Sequence, residues 1–351
     1  FIYSSALANG YTPASIINDA PVVFEDKSLE NTWRPENHSG KFYGPTRLRQ
    51  ALYKSQNLVS IRILKQVGPR KAVNFITPFG FPREKLNPDL SLALGASAVT
   101  PMELATGYSV LANGGYSVQP YLISRIEDDE GNVLFSADPA VVCKDCEQQQ
   151  TEEENTNSQQ ADIATLDGVA TAESLTDQEP ALNIAPRVMD ARVNYLMVSM
   201  LRDVVRLGTG KRALALKRAD IAGKTGTTND QKDAWFSGFS PDLVTTVWVG
   251  FDQPVTLGRW AYGSNTALPI WVDYMETALQ GVPEHPFEQP EGIVSARIDP
   301  ATGLLAAPGQ ENAMFEYFRE ENVPKEMVKP ASAETDSDHD GQQEVIPEQL
   351  F

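Results

Sequence analysis

The chain has 351 residues, 41% of them hydrophobic, and a formal net charge of −18. That length and apolar content exclude a wholly disordered chain and allow one large domain or two moderate ones. The acidity argues against nucleic acid or an anionic membrane surface as partner, since each needs a basic face, and no apolar run reaches the roughly 18 residues of a membrane span.

Residues 1–142 read as mostly helical. Periodicity begins at Phe1, which follows neither an initiator Met nor a basic signal segment, so the sequence reads as a piece of a longer one. Pro45 stands where a first helical residue is favoured, and Leu48, Leu52, Val59 and Ile63 recur near helical spacing up to Gly68. Ala72, Val73, Ile76 and Phe79 before Gly80 predict a second helix. A third, Met102 to Leu111, follows Pro101 and ends at Asn113-Gly114-Gly115. From Tyr121 short extended pieces flank Asp129-Glu130-Gly131-Asn132, a hairpin signal.

Residues 143–185 read as an acidic disordered insertion: up to residue 183 they carry ten Asp or Glu against Lys144 alone, with no aromatic side chain to offset ordering entropy. Cys143 and Cys146 lie at its start as Cys-Lys-Asp-Cys. Zinc wants four ligands and the three scattered His offer no second half-site, while a redox pair wants a βαβ setting that the polar sequence lacks. The pair is expected to have no catalytic role. In residues 186–282 regular structure resumes at Asp190, an N-cap candidate, before an apolar stripe of Val193, Leu196, Met197, Met200, Leu201, Val204 and Val205. Asp220 to Thr228, Ala234 to Phe239 and Leu243 to Phe251 then read as strands, the last two split by Ser240-Pro241-Asp242, which predicts an antiparallel meander. Residues 264–280 are again helical in pattern. Residues 283–329 form a small extension in which Ile293 to Ala306 reads as a hairpin around Pro300-Ala301-Thr302-Gly303, and residues 330–351, with six acids and no Lys or Arg, read as an acidic disordered tail.

Two short patterns can carry chemistry. Lys224-Thr225-Gly226-Thr227 opens the first predicted strand. Alternation puts Thr225 and Thr227 on one side, and Gly226 lets a substrate backbone approach the edge. Two hydroxyls and an ammonium suit a terminal carboxylate, and a strand N–H can serve an oxyanion. Ser55-Gln56-Asn57 interrupts the helical stretch after Pro45, offering a hydroxyl to relay a proton and an amide to hold a carbonyl. Alone each is weak. Lys-Thr-Gly arises by composition in roughly one chain in ten of this length, Ser-x-Asn in about every one, and their ordinary readings are an exposed Lys with a Gly bulge and a helix N-cap.

Together they follow, in this order, the last two of the three signatures Ser-x-x-Lys, Ser-Asp-Asn and Lys-Thr-Gly shared by penicillin-binding proteins and class A β-lactamases, with Gln56 in the middle of the second. The chain resembles the transpeptidase region of class A penicillin-binding proteins of Gram-negative bacteria. Residues 43–63, Val99 to Gly115 with Thr100-Pro101-Met102-Glu103-Leu104-Ala105, Gly208 to Gly238, and Val249-Gly250-Phe251-Asp252 carry the resemblance as well. It implies an α+β fold, an antiparallel sheet flanked by helices plus a mostly helical subdomain. It also implies a serine acyltransferase that cross-links peptidoglycan stem peptides, binds β-lactams and needs no cofactor or metal. The location implied is periplasmic, with the parent protein anchored in the inner membrane and regulatory protein partners possible.

On that resemblance Ser55 passes a proton to the leaving nitrogen and Asn57 holds the peptide carbonyl. Lys224 anchors Ser55, Thr225 and Thr227 bind the substrate carboxylate, and the Thr227 N–H forms half of an oxyanion hole. Asp233 and Trp235 are assigned structural roles. No Ser-x-x-Lys occurs in the 351 residues. In the family that motif is followed by Pro-Phe-x-Tyr, and this chain opens Phe1-Ile2-Tyr3, so the nucleophile and its lysine are expected just upstream and the chain alone is expected to be inactive. Two rival readings are a hydrolase, either a D,D-carboxypeptidase or a β-lactamase, and a non-catalytic binding domain. A stable penicilloyl adduct excludes the fast β-lactamase, and the residues preceding Phe1 decide the binding domain.

Overall fold

A computed structural model describes residues 1–25, 32–143, 146 and 182–329. The expected disordered insertion and tail therefore fall almost wholly outside the described residues. Helix α1 (Ile2–Ala8) is buried from Ile2 to Leu7, its apolar side chains joined by the small Ser4 and Ser5, as suits a central core helix. A two-stranded pair follows, β1 (Ile16–Asp19) with β4 (Gly44–Arg47), enclosing the short pair β2 (Phe24–Glu25) and β3 (Thr32–Trp33). Helices α2 (Leu48–Lys54), α3 (Asn57–Val67), α4 (Pro69–Ile76) and α5 (Pro101–Ala112) come next.

Pro45 does not open a helix. It lies in β4 opposite Asn18, and α2 starts at Leu48, whose N–H bonds Ser15 O. A proline that lacks an N–H is tolerated in an edge strand, so the fixed φ that suggested a helix start serves an extended chain here. The stretch beyond it is two helices, broken at Ser55-Gln56. The other helices form as the apolar spacing predicts. Helix α5 carries a full capping box, with Glu103 N–H on Thr100 Oγ1 and Thr100 N–H on Glu103 Oε2.

Strands β5 (Arg125–Glu127) and β6 (Val133–Ser136) make the predicted hairpin, and a disulfide joins Cys143 to Cys146. Helix α6 (Ala191–Arg206) is capped by Asp190, whose carboxylate accepts from the Arg192 and Val193 N–H groups. Its buried Asn194 donates to Val110 O and Leu111 O, closing carbonyls that the end of α5 leaves open.

The meander β7 (Ala222–Thr227), β8 (Ala234–Phe239) and β9 (Val244–Val249) is antiparallel in sequence order. Helices α5 and α6 lie on one face and α7 (Ala267–Ala278) on the other. Phe236 and Trp271 stack edge to face at 4.9 Å on the α7 side, while Ala222 and Phe239 join the larger core built on α1, α3 and α6. The fold is α+β, as expected.

Strand β10 (Ile293–Ile298) corrects one expectation. It pairs along its length with β11 (Met314–Arg319) and not with the residues just after it. The reversal at Asp299 to Leu304 is real, held by Asp299 Oδ1 accepting from Ala301 and Thr302 N–H. Only a single bridge, Ile298 to Leu305, follows it, and the Met314 to Phe318 run, aromatic-rich around Glu316, offers a longer partner.

Candidate active site

Helix α2 stops because Ser55 takes the left-handed conformation (φ 56°, ψ 51°), uncommon for a residue with a Cβ and a common way to end a helix. The chain turns there and α3 restarts at Asn57 with Gln56 as its N-cap. The N-cap reading of this motif therefore falls on Gln56, which makes no side-chain cap bond, while the Asn57 amide donates to Glu36 O at 2.9 Å.

Lys-Thr-Gly-Thr fills the last four positions of β7 rather than its start. Lys224 Nζ donates to Ser55 Oγ at 2.8 Å and to Thr225 O at 3.0 Å. The contact joins positions 169 residues apart and brings the two sequence motifs into one site. Lys224 is only partly accessible, and desolvation of its ammonium pulls its pKa down to about 8. The start of α1 is buried close to Lys224.

Thr225 Oγ1 shares a hydrogen bond of 2.7 Å with Thr209 Oγ1, and Thr227 Oγ1 accepts from Gly263 N–H at 3.0 Å. Gly226 pairs with Trp235 across the β7–β8 ladder. Asp233 makes loop bonds: its N–H donates to Thr228 Oγ1 at 2.8 Å and its Oδ1 accepts from Trp248 Nε1 at 2.9 Å. Trp235 packs against Trp248, centroids 5.9 Å apart.

Sequence reasoning missed the residues that hold the motifs in place. Gly208 lies so close to α2 that a Cβ there would stand 2.2 Å from Tyr53 O, which sets Thr209 beside Thr225. The signal was available in Gly208-Thr209-Gly210, two glycines around a hydroxyl. Gly263 is equally tight, its would-be Cβ 2.3 Å from Trp235 O and 2.5 Å from Gly226 O. Above them two loops meet, His38 edge-on to Tyr262 with centroids 4.9 Å apart. One loop holds Asn57 through Glu36 and the other holds Thr227 through Gly263. No local pattern announces such a contact.

Comparison with known proteins identifies the family. Residues 1–276 match the penicillin binding protein transpeptidase domain and residues 289–329 the C-terminal domain of penicillin-binding protein 1A. Penicillin-binding protein 1A of Pseudomonas aeruginosa is 52% identical over 335 residues, covering 92% of this chain and 40% of that protein. The Vibrio cholerae protein of the same name is 41% identical over 354 residues, covering 93% and 40%. The chain thus spans about two-fifths of these relatives. Among solved structures, penicillin-binding protein 1A from Haemophilus influenzae superposes with a TM-score of 0.79 at 35% identity, over 93% of this chain and 48% of that one. PonA1 from Mycobacterium tuberculosis in complex with penicillin V, 21% identical with a TM-score of 0.59, covers 82% of this chain and 69% of that one and shares the fold. By these matches the chain belongs to the penicillin-binding protein transpeptidase domain family, joined to the C-terminal domain of penicillin-binding protein 1A.

Proposed function

We propose that these residues form most of a D,D-transpeptidase domain, in which a serine attacks the D-alanyl-D-alanine end of a stem peptide, D-alanine leaves and a neighbouring stem amine resolves the acyl-enzyme. Splitting the exchange into two covalent steps lowers each barrier. The observation that carries this reading is the 2.8 Å contact of Lys224 with Ser55, which sets an ammonium behind a hydroxyl that can pass a proton to the leaving nitrogen.

The same reading assigns the further roles. Asn57 spends one amide hydrogen on Glu36 O and keeps the other for the substrate carbonyl. Thr225 and Thr227 bind the terminal carboxylate under the positive potential of Lys224. The Thr227 N–H takes one side of the oxyanion, since charge developing in a site of low dielectric is best met by fixed donors. The reading also requires a serine nucleophile with a lysine base, and no Ser-x-x-Lys occurs in these 351 residues, so it assigns that pair to residues outside this sequence. The parent protein works in the periplasm from an inner-membrane anchor.

Intact-mass measurement after treatment with a fluorescent penicillin tests this. The 351-residue chain is expected to stay unmodified, while the full-length protein gains one acyl group on a serine of a Ser-x-x-Lys motif. An acyl group on Ser55 in either would overturn the assignment. Rapid turnover of the penicillin by the full-length protein would make it a hydrolase.

A further inference from the structure

Helix α2, which delivers Ser55, is gripped elsewhere along its length by a cluster outside the motifs. Arg49 on this helix is buried. Its Nε and Nη2 donate to Glu316 Oε2 and Oε1 at 2.9 and 2.6 Å. Its Nη1 donates to Asp203 Oδ2 at 2.9 Å and to Ser199 Oγ at 3.1 Å. The Glu316 side chain is 1% exposed, and Arg47 Nη1 lies 3.6 Å from the same carboxylate. Burial works against the Arg49 charge, yet Glu316 and Asp203 more than offset it and raise its pKa.

Three parts of the molecule therefore meet at one guanidinium. Helix α2 ends in Ser55. Helix α6, bearing Ser199 and Asp203, runs on to Gly208-Thr209 and so to Thr225. Glu316 comes from β11, within the separate C-terminal domain. A fork-to-fork pair fixes angle as well as distance, and α2 has only seven residues, too few for its own hydrogen bonds to hold it rigid.

We propose that Glu316 is a positioning residue for acylation: through Arg49 it sets α2 against β7 and so the Ser55 hydroxyl against Lys224, making the C-terminal domain a working part of the active site. The proposal rests on the transpeptidase reading above. Displacement of a reacting group by a fraction of an ångström is enough to slow chemistry with little effect on binding.

Penicillin acylation of the full-length protein, resolved into a noncovalent dissociation constant and an acylation rate constant, separates the outcomes. Glu316→Ala is expected to lower the rate constant roughly ten- to a hundredfold, with the dissociation constant held within about threefold because Thr225 and Thr227 lie on another element. Glu316→Gln, which keeps one acceptor for the fork, is expected to fall between Glu316→Ala and wild type. Since Glu316→Ala strands the buried Arg47 and leaves Arg49 with Asp203 and Ser199 alone, which threatens folding, the triple variant Arg47→Met, Arg49→Met and Glu316→Met is the second arm. An apolar cluster of similar volume removes the buried charges together and preserves packing but has no fork, so it is expected to melt near wild type and still acylate at least about tenfold more slowly. A wild-type protein that is never acylated would refute the transpeptidase reading. Acylated wild type, with either variant folded and within about twofold of its rate constant, would refute the positioning role alone.

Discussion

Lys224 holds two acceptors, Ser55 Oγ and Thr225 O, in a place where desolvation lowers its pKa to about 8. Two pH effects of opposite sign follow. As pH rises through about 8 the ammonium loses its charge, so noncovalent affinity of the full-length protein for an anionic penicillin is expected to weaken between pH 7 and 9. Stability moves the other way. Between about 8 and the ordinary lysine value of 10.5 the unfolded chain holds a proton that the folded chain has released, so this group's contribution to stability rises with pH across that window. Lys224→Met is expected to flatten both slopes, checked by stopped-flow binding and by denaturant midpoints at pH 7.5 and 10. Ser55 gives a second test at this scale. Its left-handed backbone costs a residue with a Cβ about 1–2 kcal/mol. Ser55→Gly and Ser55→Ala lose the same hydroxyl, yet the glycine variant is expected to be the more stable of the two by about 1 kcal/mol in urea unfolding.

Elements built from local periodicity were legible in the sequence and those built from remote contacts were not. Helix α6 and the meander β7–β8–β9 read correctly because an apolar stripe, an Asp190 cap and a Ser240-Pro241-Asp242 turn are short-range signals. Pro45 misled because a φ near that of a helix also fits an extended chain, and its pairing with Asn18 lies far off in sequence. Strand β10 found its partner in β11, beyond a turn that looked like a hairpin by itself. In the candidate site, Lys224, Thr225 and Ser55 stood out in the sequence because their chemistry is written in their side chains, and Lys224 and Ser55 are brought together. Thr209 and Gly263 were missed because their value lies in closeness to a backbone. Gly263→Ala tests that closeness. Its Cβ would collide with Trp235 O and Gly226 O, so the loop must move off β8 and release Thr227 Oγ1. Overpacking of this kind costs about 1–3 kcal/mol, and a lowered denaturation midpoint together with shifted Trp235 fluorescence is the expected result.

At the scale of the whole molecule the sheet has two unlike margins. Strand β7 carries the candidate site. Strand β9 pairs with β8 along its full length and, among the described residues, has no partner on its other side. Its sequence, Val-Thr-Thr-Val-Trp-Val, is β-branched and uncharged, and all six residues are half-buried between α5 and α7. Natural proteins cover or charge such an edge because its open N–H and C=O groups recruit another chain. On the transpeptidase reading we propose that a further strand, drawn from residues that precede the nucleophile, pairs there in the full-length protein. The 351-residue chain is accordingly expected to self-associate as its concentration rises, while the full-length protein keeps this edge paired. A single upstream segment would then supply both the sheet neighbour and the serine, so gain of monomeric behaviour and of penicillin acylation should coincide as residues are added before Phe1. Size exclusion and hydrogen exchange decide it. If the 351-residue chain ran as a monomer with its Val244–Val249 amides as protected as those of the full-length protein, the edge is already covered and this strand order is wrong.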